Sequence, residues 1–138
     1  MKNLGIIHDG IIKKYEVDFE KNEITFYIKI EENGLLVKVN DRKEAIVTFK
    51  DVFSHKFDRI LKSKSNIQDE IFEGTIDDFY KYNKKDIEDK KLEYLLNMSN
   101  DSETVEEKLK RENYKYYSID SIFGLDGWVL AKDMTIEY

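Results

Sequence analysis

With 138 residues, 41% apolar and 13% aromatic, the chain suits a single domain spanning 1–138 with a buried core, and its composition excludes disorder. Its 29 acidic residues outnumber 23 basic ones, giving a formal net charge of −6; this argues against a nucleic-acid partner, whose backbone is held by clustered Lys and Arg. Cysteine and proline are both absent, which excludes disulfides, a thiolate nucleophile and a cysteine-rich zinc site, and leaves chain reversal to Gly, Asn, Asp and Ser.

Just after His8-Asp9-Gly10 apolar and polar residues begin to alternate, and the alternation persists to Phe49. Tyr15, Val17 and Phe19 fall on one face, with Glu16, Asp18 and Glu20 on the other. Ile24, Phe26, Ile28 and Ile30 follow, then Leu35, Val37 and Val39, then Ala45, Val47 and Phe49. Side chains alternate across a strand with period two, so this pattern predicts an antiparallel β-meander with one dry and one wet face. Asn33-Gly34 has the chemistry of a type I′ hairpin turn, which needs positive φ at both central positions. Turns near Lys21-Asn22 and Asn40-Asp41-Arg42 separate the neighbouring strands. Val52–Leu61 reads as a fifth strand whose alternation is interrupted by Ser54-His55-Lys56, and Ile67–Phe72 as a short edge strand.

From Thr75 the period changes. Thr75-Ile76-Asp77-Asp78 has the form of a capping box with Asp in place of Glu, and predicts a helical turn carrying Phe79. Asp86–Met98 shows a helical stripe of Ile87, Leu92, Leu95 and Leu96, and Glu103–Glu112 a second, with Val105 and Leu109 inward and Thr104 and Glu107 at capping distance. Tyr114–Ile119 returns to alternation, Gly124-Leu125-Asp126-Gly127 reads as a turn, and Trp128–Tyr138 as the last strand. The expected fold is therefore α+β: about five to seven strands in an antiparallel meander, with two helices inserted before a C-terminal β-hairpin.

Catalytic chemistry is hard to assemble from these residues. His8-Asp9 resembles half of a metal site, but the only other histidine is His55, and a hydrolytic centre needs three or more convergent ligands. The ordinary role of His8 and Asp9 is to shape the start of the first strand through packing and an Asp–amide bond before Gly10. No nucleophile elbow, Gly-rich phosphate loop or Walker sequence occurs. The basic groups Lys56, Arg59, Lys62, Lys64 and Lys84, Lys85, Lys90, Lys91 are interrupted by acids and read as mixed solvated surface.

Tyrosine is abundant, with nine in the chain. Tyr80 and Tyr82 stand among Asp77, Asp78, Asp86 and Glu88, and these six residues are the expected partner-binding patch: aromatic, acidic and complementary to a basic protein surface. The competing role for any one tyrosine is a semi-exposed strand position, where aromatics are favoured.

The N-terminal half resembles the opening of YxiG-like and related small immunity-type domains of Gram-positive bacteria, through His8-Asp9-Gly10, the alternating Ile11–Phe19 and Ile24–Ile30, and Val47-Thr48-Phe49-Lys50-Asp51-Val52. Tyr117-Ser118-Ile119-Asp120-Ser121-Ile122-Phe123-Gly124 and Trp128-Val129-Leu130-Ala131 are similar to that family's terminal hairpin, whereas Thr75–Glu112 departs from it. The resemblance implies an immunity protein that neutralises a cognate toxin, such as a basic nuclease domain, by direct contact. It transfers no catalytic residue, cofactor or metal. The alternatives are a small metal-dependent enzyme using His8, Asp9 and His55, or a structural or ligand-binding module. No apolar run reaches the length of a membrane span and Met1-Lys2-Asn3-Leu4 leads too soon into Gly5 and His8 for a signal peptide, so a cytoplasmic location without membrane contact is expected.

Overall fold

The computed structural model describes residues 1–4, 10–32, 35–36, 44–59, 69–92, 103–121 and 125–137. Along the chain these form β1 (Lys2–Asn3), β2 (Gly10–Asp18), β3 (Glu23–Glu32), β4 (Leu35–Leu36), β5 (Glu44–Arg59), β6 (Asp69–Gly74), α1 (Ile76–Tyr82), α2 (Lys84–Asp89), α3 (Val105–Arg111), β7 (Lys115–Ser121) and β8 (Leu125–Glu137). The fold is α+β and mostly strand. All strand pairings among the described residues are antiparallel.

The six longer strands pair in a circuit. β2 pairs with β3, β3 with β5, β5 with β8, β8 with β7 and β7 with β6; Gly10↔Asp69 then joins β6 back to β2. The two-residue β1 lengthens that seam through Lys2↔Glu73 and Asn3↔Phe72. The meander is thus a barrel closed on itself, and Ile67–Phe72, expected at an edge, corresponds to β6 with neighbours on both sides. Closure removes exposed ladder groups that would otherwise pair with other chains.

Each of the six strands sends apolar side chains inward. Ile12, Ile24, Phe26, Ile28, Ala45, Val47, Phe49, Ile71, Tyr117, Ile119, Val129 and Ala131 form one buried cluster. At the centre Phe26 meets Phe49 edge-on at 5.3 Å between ring centroids.

Two bulges explain where the alternation slips. Register shifts between Ile12 and Lys14, and again between Val52 and Ser54. An extra residue reverses the phase of everything beyond it. Between inward Phe49 and inward Val52 the phase changes at Asp51, which takes φ 52°; the bulge that follows leaves Phe53 on the outer cluster and turns His55 (opposite Val129) and Phe57 (opposite Gly127) inward. Phe19, expected on the apolar face, lies beyond the end of β2 in a turn and is 82% exposed. The Asp18 carboxylate accepts from the amides of Glu20 and Lys21, and Asn22 takes φ 54°, so local turn bonding ends the strand before Phe19.

The helices lie between β6 and β7 and cover the outer face of the β7–β8 region. Among the described residues there are three, of six or seven residues each, where two were expected. The Thr75–Asp78 capping box is formed, with Asp78 N donating to Thr75 Oγ1 at 3.2 Å and Thr75 N to Asp78 Oδ2 at 2.9 Å. Thr104 Oγ1 caps α3 by accepting from Glu107 N at 3.1 Å. Ile76, Phe79, Ile87, Leu92, Val105 and Leu109 pack on Tyr116, Trp128 and Leu130 as a second buried cluster. The Asn33-Gly34 turn, the Asn40-Asp41-Arg42 turn, Ile60–Gln68, Glu93–Ser102 and Ile122–Gly124 lie outside the described residues.

Candidate functional site

A groove of about 590 Å³ opens where α1 and α2 meet the outer face of β5, β8, β7 and β6. Strand alternation decides its lining. Because Phe57, Gly127, Ile119 and Ile71 point inward, their neighbours Lys56, Asp58, Trp128, Asp126, Ser118, Asp120 and Phe72 point outward. Tyr82, Asn83 and Asp86 border the groove from the helical side, with Met1 and Tyr116 completing it.

Trp128 is 2% exposed and meets Phe79 edge-on at 4.7 Å between ring centroids. Its Nε1 donates to Asp86 Oδ2 at 2.8 Å, while Lys56 Nζ donates to Asp86 Oδ1 at 2.5 Å. One carboxylate on α2 therefore satisfies a buried indole and a strand lysine together. Burial pushes the Asp86 carboxyl up, but its bonds from Lys56 and Trp128 and the charges of Lys56 and Lys90 outweigh this and leave it below its ordinary value. The Lys56 ammonium is correspondingly raised, chiefly by its bond to Asp86. Tyr116 is also buried; its hydroxyl accepts from Asn83 Nδ2 at 3.1 Å, and the same amide donates to Phe79 O at 3.0 Å.

The opposite wall is acidic. Asp58 of β5 pairs directly with Asp126 of β8, and Glu70 of β6 pairs with Asp120 of β7. Asp120 stands one step beyond the Ile119↔Gly127 pair, beside Asp126. Four acidic residues thus occupy one rung across four neighbouring strands, and three of them, Asp58, Asp126 and Asp120, line the groove. Like charges directly opposite one another are unfavourable. Burial, then the charges of Asp120 and Asp58, raise the Asp126 carboxyl above its ordinary value. Lys56 Nζ lies 3.9 Å from Asp58, farther than from Asp86, so it offsets the rung only weakly. Gly127 permits this arrangement: a Cβ there would stand 1.9 Å from the Lys56 carbonyl oxygen. The expected Gly124–Gly127 turn is consequently replaced at Asp126-Gly127 by strand, with glycine marking the close approach of two backbones.

The six residues expected to form one binding patch are distributed over three places. Tyr82, 61% exposed, and Asp86 belong to the groove just described. Asp77 and Asp78 border a different cavity with Gly74, Lys110 and Tyr114. Asp77 pairs with Lys110 Nζ at 2.6 Å, and Asp78 is engaged in the cap of α1, so both carboxylates already have partners. Tyr80 and Glu88 line a third cavity with Ile87 and Leu92. The Tyr80 hydroxyl donates to Leu92 O at 2.9 Å, and burial followed by the charge of Glu106 pushes its pKa up to about 12. The reason for the scatter is helical: consecutive residues point about 100° apart, so a cluster in sequence is divided among faces.

Asp58, Glu70, Asp120 and Asp126 escaped sequence reasoning because their meeting depends on strand pairing. The one local signal was Gly127 beside an acid in an alternating segment. His55 lies in a separate hollow with Val52, Phe53 and Lys90. Burial, then the charge of Lys90, lowers its pKa and so favours the neutral imidazole. No group of three His, Asp or Glu able to hold a metal ion is found among the described residues, while His8 and Asp9 fall outside them. No helix among the described residues is long and apolar enough to cross a membrane. No family model, curated protein or solved structure matches this chain.

Proposed function

We propose that this protein acts by binding another protein at the groove beneath α1 and α2, and that its partner is a cognate bacterial toxin which it blocks by direct contact. The observation that carries the binding reading is the lining itself: an exposed tyrosine beside buried aromatics and a wall of carboxylates, in one concavity. Aromatic anchors in a hollow with a charged rim are the composition of interface hot spots. The toxin comes from the resemblance of the strands to immunity-type domains, and the acidic balance of the chain suits a basic partner drawn in by long-range attraction.

The test is co-production with the product of the adjacent gene. That product alone should arrest growth, co-production should restore it, and the two chains should elute as one complex whose affinity falls as salt rises. Growth arrest that persists at a several-fold excess of this protein, with the two chains eluting separately, would reject the reading.

A further inference from the structure

The lining of the groove also specifies what it accepts. We propose that it docks an arginine-bearing segment of the partner protein, with the Asp58, Asp126 and Asp120 row receiving the guanidinium groups and the Tyr116 hydroxyl donating to a backbone carbonyl. This inference rests on the binding reading and deepens it.

The occupant is positively charged because, among the described residues, carboxylates outnumber the cations on this wall. Asp58, Asp126 and Asp120 line the groove in one rung, and Lys56, the lysine of the same lining, is 3.9 Å from Asp58 but held at 2.5 Å by Asp86 on the opposite side. A cationic guest would turn that mutual repulsion into attraction. Neighbouring strands are about 4.8 Å apart, so carboxylates on them form an extended track. A single metal ion needs oxygens converging within about 2.6 Å, which the described acids do not offer. A planar guanidinium can bridge two such carboxylates and still lie against an aromatic ring, and Tyr82 stands exposed at the margin. Lysine fits less well, because its ammonium has neither the fork nor the flat face.

The buried tyrosine gives an independent indication. Tyr116 is 4% exposed, lines the groove, and uses its hydroxyl oxygen to accept from Asn83. Among the described residues nothing accepts the proton of that hydroxyl. A buried donor is normally satisfied, and an extended peptide laid along the groove would present carbonyl oxygens to it. The acidic wall excludes nucleic acid as occupant, since phosphates would meet carboxylates.

The probe is a tetra-arginine peptide, acetylated and amidated, titrated into the full chain at low salt. The chain has one tryptophan, and Trp128 lies in the groove, so its emission reports occupancy alongside calorimetry. We expect saturable one-to-one binding that weakens with salt. Asp120→Asn with Asp126→Asn should reduce affinity by about tenfold or more, the scale of losing two charged contacts. The control Asp77→Asn with Glu107→Gln removes the same charge from exposed sites outside the groove and should change affinity by less than about twofold. The Asn pair should fold at least as stably as the parent, because it relieves repulsion; Asp58→Asn alone supplies a second reading of the same wall. Tyr116→Phe should weaken the peptide while leaving spermine, which has no carbonyl, unaffected. Equal losses in the groove and control pairs, no saturable binding, or spermine binding as tightly as the peptide would overturn the proposal. A toxin bound with full affinity by the Asn pair would sink the groove assignment and leave toxin neutralisation standing. Peptide bound in the groove without any toxin complex would do the reverse.

Discussion

The barrel interior and the layer beneath the helices are both buried, yet they are held by different means. Inside the barrel the ladders supply the backbone bonds, and the packed side chains are almost wholly aliphatic or phenylalanine. Tyr117 is the polar member of that cluster. Burial raises its pKa, as do the charges of Glu73 and Asp133 and a hydrogen bond with Glu73. Under the helices no ladder does this work. Helices of six or seven residues are too short to persist alone, so the layer depends on Phe79, Leu109 and Trp128 and on polar fastenings from Asp86, Asn83 and Tyr80. Polar fastenings specify geometry but loosen more readily, and the groove is built where they are.

The largest test of this contrast pairs one truncation from each region. Phe26→Ala should cost about 3–5 kcal/mol and Leu109→Ala about 2–5 kcal/mol, read from urea unfolding. Their hydrogen-exchange patterns should differ more than their energies. Phe26→Ala should speed exchange throughout, whereas Leu109→Ala should release the amides of α1, α2 and α3 and leave the β3–β5 ladder protected. Uniform loss in both variants would show that the two clusters form one cooperative unit.

Asp86→Asn should have a smaller and more local effect, about 1–3 kcal/mol, because it weakens charged hydrogen bonds to Lys56 and Trp128. Emission from Trp128 should shift to the red as α2 loosens. The sign with pH follows from the lowered carboxyl: this stabilisation is present above its ordinary value of 3.8 and is lost as pH falls through the lower folded value. Unchanged emission would deny that Asp86 fastens the layer.

Asp126 should behave in the opposite sense. Its folded pKa is raised, so its contribution is present below the ordinary value of 3.8 and lost as pH climbs through the folded value. At pH 7 the ionised group opposes folding. Asp126→Asn is expected to gain roughly 0.2–1 kcal/mol at pH 7, a gain that vanishes in acid, as thermal melts at the two pH values would show. A destabilised variant at pH 7 would mean that the carboxylate has a structural partner.

Much of the local structure was legible. The runs at Ile24–Ile28 and Ala45–Phe49 point inward in alternation, and Thr75 and Thr104 cap the helices that follow them. Legibility failed where one residue changed the phase, as at the bulge between Val52 and Ser54, or where turn bonding overrode hydrophobicity, as at Phe19. Of the candidate site, the sequence offered Tyr82 and Asp86 but grouped them with Asp77, Asp78, Tyr80 and Glu88, which the helices direct elsewhere.

The order of residues by itself determined the strands, the caps and the inward or outward sense of most side chains, since each depends on relations two to four positions apart. Tertiary structure alone decided that the meander closes and that Glu70, Asp120, Asp126 and Asp58 share a rung. Those residues are distant along the chain, and only the hydrogen-bond register between strands, fixed by bulges and by the close approach at Gly127, brings their charges side by side.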